Sequence, residues 1–162
     1  RRSDRSHSGS LSSSPSVEKS DMIQRIQTLY LLFGALALAA LGLFEMPWAS
    51  AAAATYAWYV PSVIGLIGVT GGAAVWAIFL YENRKTQRSV VVGVQVGTVL
   101  LAGVLYGGLY LTSELTFRGP QGVDWAKTTV LVLPILAYLL FFLARRGIDH
   151  DIELVKSMDR LR

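Results

Sequence analysis

The sequence predicts an all-α integral membrane protein, a four-helix bundle with both termini cytoplasmic. Three observations carry that expectation. Of the 162 residues, 52% are hydrophobic and 16% charged, where an average soluble domain is about 25% charged. Four apolar runs follow one another along the chain, each about twenty residues long, which at ~1.5 Å per residue crosses a hydrocarbon core of roughly 30 Å. The basic residues gather beside alternate ends of those runs, as membrane orientation signals do. The mean hydropathy of +0.45 agrees.

Residues 1–21 are of another kind. Nine of them are serine, and Leu11 and Val17 are the two large aliphatics. Such a segment cannot bury enough apolar area to offset the entropy of ordering, so it is expected to be a disordered extension. A secretory signal is not expected, because a serine tract separates the basic stretch from the apolar run. The expected functional start is Met22.

The membrane domain is expected over residues 22–144. Its spans are 26–44, 60–81, 90–112 and 125–144. Helices are required over strands, because in lipid every backbone polar group must be satisfied within the segment or in a closed barrel. The runs show no two-residue alternation, which argues against a barrel. Pro61 opens the second span, where its missing N–H costs nothing. Pro134 lies inside the fourth and is expected to bend it. Residues 145–162 are expected to form a charged cytoplasmic tail helix, with Ile148, Ile152, Val155 and Met158 as its apolar stripe.

Orientation follows from charge. The turn "ENRKTQR" carries Arg84, Lys85 and Arg88, Arg25 precedes the first span, and Arg145 and Arg146 follow the fourth. The loop "EMPWASAAAATYAWY" has no Lys or Arg, and the other outer loop has only Arg118 and Lys127. This bias puts both termini and the middle turn in the cytoplasm. Trp48, Tyr56, Trp58, Tyr59 and Trp125 then occupy the outer loops as interfacial aromatics.

Chemistry is sparse. There is no cysteine, which excludes disulfides, thiol nucleophiles and thiolate zinc sites. No ionisable residue lies in the middle of any span, where transporters usually display them. Gln95 and Thr98 in the third span and Thr70 in the second are the polar groups at depth. A lone amide there is expected to make one interhelical hydrogen bond. His150 stands between Asp149 and Asp151, but adjacent helix positions diverge, so a solvated charged face is expected there rather than a metal site. Glycines four apart, Gly68 and Gly72, Gly93 and Gly97, and Gly103 and Gly107, are expected to be helix-packing positions. Their use inside the bundle is favoured over oligomerisation. No catalytic, cofactor-binding or metal-ligating residue is expected. Nucleic acid is not an expected partner, because the basic residues form no single stripe.

Two stretches carry a resemblance: "MIQRIQTLYLL" at the start and "ARRGIDHDIELVKSMDRLR" at the end. They resemble the ends of a bacterial family of small membrane proteins known as domain of unknown function 4293, over about Met22–Arg162. The resemblance implies four membrane helices in a bacterial inner membrane, and a charged tail that touches something cytoplasmic. It supplies no catalytic residues. The serine-rich lead departs from the family's pattern.

These observations lead to an expected non-catalytic membrane protein, an accessory or scaffold subunit or an assembly factor. Its expected partners are the lipid bilayer and either a membrane protein or further copies of itself. A cytoplasmic polar patch is expected from Gln24, Arg25, Gln27, Arg84, Lys85, Arg88, Arg145, Arg146, Arg160 and Arg162. One alternative is a small oligomeric transporter or channel lined by Gln95, Thr98 and Tyr106. Another is a lipid-handling enzyme using Glu114 and Asp124.

Overall fold

The computed structural model describes the backbone of residues 15–81, 83–119 and 122–159, and the side chains of 26–81, 83–118, 122–153, 156 and 157. Those residues form α1 (Pro15–Leu41), α2 (Met46–Ala49), α3 (Ala51–Thr55), α4 (Tyr59–Phe79), α5 (Arg84–Leu111), the two-residue strands β1 (Arg118–Gly119) and β2 (Gly122–Val123), and α6 (Trp125–Asp159). Helices α1, α4, α5 and α6 are each long and apolar enough to cross a membrane. Each packs on two others: α1 and α5 both lie against α4 and α6. Chain neighbours are therefore spatial neighbours, and α6 closes the ring on α1.

A repeat of alternating four- and three-residue steps builds the core. On α1 the buried positions include Gln27, Leu31, Gly34, Leu38 and Leu41; on α5, Gln87, Val91, Val94, Thr98, Leu101, Leu105 and Gly108. On α6 they are Val130, Pro134, Ala137, Phe141, Ala144, Ile148 and Asp151. This is the 3.5-residue spacing with which antiparallel helices keep one seam facing inward. The opposite faces are apolar too. Phe33, Leu36, Val69, Phe79, Leu100 and Leu139 are all more than half exposed. Large apolar side chains all round a bundle need lipid, not water, as their surroundings.

Both outer helices run further than expected. α1 begins at Pro15, so residues 15–21, expected to be disordered, are helical; residues 1–14 lie outside the described residues. Proline suits the first helical position, and extending an existing helix requires no new nucleus. The tail is likewise not a separate helix: α6 passes through Pro134 and on to Asp159 without a break. The loops after α1 and α5 also hold more structure than expected. α2 and α3 occupy the first, and a small antiparallel hairpin pairing Arg118 with Val123 occupies the second. α5 ends in a Schellman turn, with the N–H of Glu114 on Leu109 O at 2.8 Å and that of Ser113 on Tyr110 O at 3.1 Å. Ser113 takes the left-handed conformation, φ 59°, that glycine usually supplies at this point.

The glycines correct the packing expectation. A Cβ on Gly68, Gly72, Gly93, Gly103 or Gly107 would meet nothing within 4 Å, so five of the six do not pack inside the bundle. Four-residue spacing marks a shared face but does not say whether that face points inward. Gly97 does pack, under Thr70. The other close approaches use glycines that the spacing did not mark. A Cβ on Gly34 would lie 2.4 Å from the Phe141 ring, and one on Gly108 would lie 2.4 Å from the Tyr59 ring. Tyr59 is therefore a core residue, fully buried, rather than an interfacial aromatic. Trp58 and Trp125 are exposed, as interfacial residues would be.

These contacts give a direct comparison. Gly34→Ala forces the Phe141 ring aside and is expected to cost about 1–3 kcal/mol. Gly103→Ala meets open space and is expected to be neutral, or stabilising by up to ~1 kcal/mol from helix propensity. Melting of the purified variants in detergent, followed by circular dichroism, checks the pair. Equal destabilisation at both sites contradicts the packing described.

Candidate functional site

At one end of the bundle the inward seam turns polar. One step beyond Leu31, Val91 and Ile148 stand Gln27, Gln87 and Asp151, and each is 6% exposed. Gln27 Nε2 donates to Asp151 Oδ2 at 2.9 Å, tying α1 to α6. Arg84 Nη1 lies 3.4 Å from the same oxygen, tying in the start of α5. Gln87 Nε2 donates to Ala77 O at 3.0 Å, near the end of α4. This layer therefore bonds all four long helices. Gly147 makes room for it: a Cβ there would sit 2.8 Å from Gln27 Cγ.

The pairing is physically required. A carboxylate removed from water without donors is strongly unfavourable. Asp151 has a neutral amide and a cationic guanidinium on one oxygen. A small, partly open cavity of about 30 Å³ lies among Gln27, Arg84, Gln87 and Asp151, enough for one water molecule in a polar setting.

A second, more exposed set of contacts surrounds this layer. Arg88 Nε bonds Asp149 Oδ1 between α5 and α6. Arg145 Nε lies 3.7 Å from Asp149 Oδ2. The Arg145 guanidinium also reaches back into the bundle, donating from Nη1 to Gln95 Oε1 at 3.3 Å. Gln95 thus makes the interhelical bond expected of it, with an arginine as its partner. The expected solvated face at residues 149–151 is corrected. Asp151 is buried and Asp149 is half-buried in ion pairs, which leaves His150 exposed.

Of the residues expected to form a patch, the structure joins Gln27, Arg84, Arg88 and Arg145 into this network. Lys85 and Arg146 stand exposed on its outside. The side chains of Gln24 and Arg25, and the whole of Arg160 and Arg162, lie outside the described residues. Sequence reasoning missed Asp149, Asp151 and Gly147. The seam itself held the signal for Asp151, since stepping four and then three from Ala144 reaches Ile148 and Asp151.

The remaining candidates are engaged elsewhere. Thr98 Oγ1 donates to Val94 O at 2.8 Å in its own helix, and Tyr106 Oη donates to Leu131 O on α6. At the opposite end, Glu114 Oε2 accepts from the N–H of Ala51 at 2.8 Å, at the start of α3. Asp124 Oδ1 accepts from the N–H of Lys127 at 3.1 Å and caps α6. Glu114 and Asp124 share the wall of an open cavity of about 490 Å³ with Glu45, Ser50 and Lys127. Among the described residues, no three of His, Asp and Glu gather closely enough to hold a metal ion.

The pattern of one protein family, described as domain of unknown function (DUF4293), matches residues 23–161. The chain belongs to this family. The match takes in all four apolar helices and every residue of the polar layer. No curated protein and no solved structure matches the chain significantly.

The polar layer makes an expected difference measurable. Asp151→Asn removes the charge that holds Arg84 and is expected to cost about 1–3 kcal/mol, since Arg84 is partly solvated. Gln27→Leu removes one hydrogen bond and leaves Asp151 with Arg84, at a cost of about 1 kcal/mol. Detergent melting of the two variants and of their double mutant checks both values. Strict additivity in the double mutant contradicts a shared carboxylate oxygen.

Proposed function

We propose that the protein is a non-catalytic subunit of a bacterial inner-membrane complex, an accessory or scaffold component that docks through its polar end. One observation supports this most. Gln27, Arg84 and Asp151 fasten three helices into a single platform, and charged residues crown it, with Arg146, Glu153 and Lys156 exposed. A platform that is rigid underneath and charged on top loses little entropy when a partner docks on it. The polar residues of the spans support the same reading. Gln95, Thr98 and Tyr106 have bonding partners within the chain, so their hydrogen-bonding capacity is directed inward.

The polar end is proposed to face the cytoplasm. It carries Arg84, Lys85, Arg88, Arg145 and Arg146, against Arg118 and Lys127 at the other end, and Lys and Arg excess marks the cytoplasmic side. A reporter enzyme active only outside the cytoplasm, fused after Arg162, is expected to stay silent. Strong reporter activity reverses the orientation.

The docking role is tested by affinity purification of the full chain in mild detergent. A defined protein is expected to co-purify in near-stoichiometric amount. Charge reversal at Arg146→Glu with Lys156→Glu is expected to abolish that recovery while melting is unchanged. Recovery unaffected by the reversal rejects docking through this end.

A further inference from the structure

α5 and α6 leave a groove between them beside the polar layer. Its α5 wall is formed by Lys85, Arg88 and Ser89 and its α6 wall by Asp149, Ile152 and Glu153. Both triplets follow the i, i+3, i+4 spacing that puts residues on one helix face. The groove holds about 520 Å³ and is open to its surroundings. One wall carries two cations and the other two carboxylates.

Those charges do not all neutralise each other. Arg88 and Asp149 join across the groove. Lys85 and Glu153 are exposed, and among the described residues neither takes part in an ion pair. The open part therefore presents one free ammonium and one free carboxylate on opposite walls, with half-buried Ile152 also lining the α6 wall. Arg88 also keeps donors to spare, since a guanidinium has five N–H groups.

Depth supplies a second constraint. Lys85 precedes the apolar run at Val90 by five residues, and Asp149 follows Ala144 by five. Five residues of helix span about 7.5 Å. That places Lys85, Arg88, Ser89 and Asp149 in the layer of polar headgroups, which is roughly 5–8 Å deep on each side of the hydrocarbon. Glu153, nine residues past Ala144 or about 13.5 Å along the helix, lies outward of it.

We propose that this groove seats the headgroup of a phosphatidylethanolamine. The phosphate lies against Lys85 and Arg88, which donate charge-assisted hydrogen bonds to its oxygens. The primary ammonium lies against Glu153 and Asp149 and donates its N–H groups to their carboxylates. Neither half of the groove alone accounts for this choice. A purely anionic headgroup satisfies the cationic wall and is repelled by the acidic one. A choline headgroup has the right charges but no N–H to donate. The two bases and two acids leave the groove without net charge, so general attraction to anionic lipid is not its basis.

The experiment uses the full chain in detergent and native mass spectrometry. Phosphatidylethanolamine, phosphatidylcholine and phosphatidylglycerol with identical acyl chains are added in turn. Phosphatidylethanolamine is expected to be retained about fivefold better than the other two, as expected for one exposed charge-assisted contact. Glu153→Gln is expected to remove its advantage over phosphatidylcholine. Lys85→Gln is expected to lower retention of both lipids together, since both carry the phosphate. Soluble phosphoethanolamine at equal concentration is expected to displace neither, because it lacks the chains that anchor the lipid. Both residues are exposed, and unchanged melting confirms that the variants remain folded. Equal retention of all three lipids overturns the proposal. So does preference for phosphatidylglycerol, an ethanolamine advantage that survives Glu153→Gln, or displacement by soluble phosphoethanolamine as effective as by lipid.

Discussion

Asp151 occupies a place where the repeat of α6 would ordinarily put an aliphatic residue. Ala144 and Ile148 lead directly to it along the inward seam, so its carboxylate faces the other helices instead of water. A charge in that position leaves few options. Unpaired, it opposes folding by far more than one ordinary contact contributes. Paired, it must draw its donors from the neighbouring helices, and these are Gln27 and Arg84. The geometry of the polar end follows from this one placement. α1 must bring an amide to the layer, α5 must begin with an arginine, and α6 must carry Gly147 so that the Gln27 side chain can lie flat against it.

That requirement also explains how the helices find one register. Seams of Leu, Val and Ala with a 3.5-residue repeat are nearly self-similar, and a slip of seven residues keeps apolar residues facing apolar residues. Lipid on the outer faces does not correct such a slip, because those faces are apolar along their whole length. Two kinds of contact do. Large side chains fill places left by glycine, as Phe141 does at Gly34 and Tyr59 at Gly108. The Gln27–Asp151 bond adds a polar match, and a displaced register leaves its carboxylate without a donor. Buried polar contacts contribute less to net stability than to the choice among alternatives, and here the alternatives are shifted packings of the same four helices.

The amino-acid sequence made the four spans legible because hydrocarbon requires helices and sets their length. The runs expected at 26–44, 60–81, 90–112 and 125–144 fall, to within two residues, inside the longer apolar spans Ile26–Ala49, Tyr59–Phe79, Arg84–Leu111 and Trp125–Glu153. The helical extensions were not legible in this way. Composition made Pro15–Asp21 look like a lead and Arg145–Asp159 look like a separate tail, but a helix nucleated in the membrane extends outward at little cost. Glycine spacing was legible only as a face. Whether Gly103 or Gly108 pointed inward depended on the register of the whole seam, which no four-residue window contains. The basic members of the polar network were visible from their position beside the spans. Asp149 and Asp151 were hidden by their surroundings, since "GIDHDIE" has the local composition of a solvated surface, and burial there is imposed by α1 and α5 from more than sixty positions away.

Asp149 and Asp151 are two residues apart, and the helix gives them opposite situations. Asp151 faces inward, is nearly inaccessible, and is held by α1 and α5. Asp149 faces the α5–α6 groove, is about one-third exposed, and is shared by Arg88 and Arg145. The second carboxylate is open to its surroundings and the first is not. Anything that competes for Asp149 also competes with Arg145, whose other contact is Gln95 inside the bundle. The groove is thereby connected through three side chains to the interior face of α5, while the Gln27–Asp151 bond stands outside that chain of contacts. The inward seam and the α5–α6 groove are thus each held by one of two neighbouring carboxylates of one helix, the first buried and the second partly exposed.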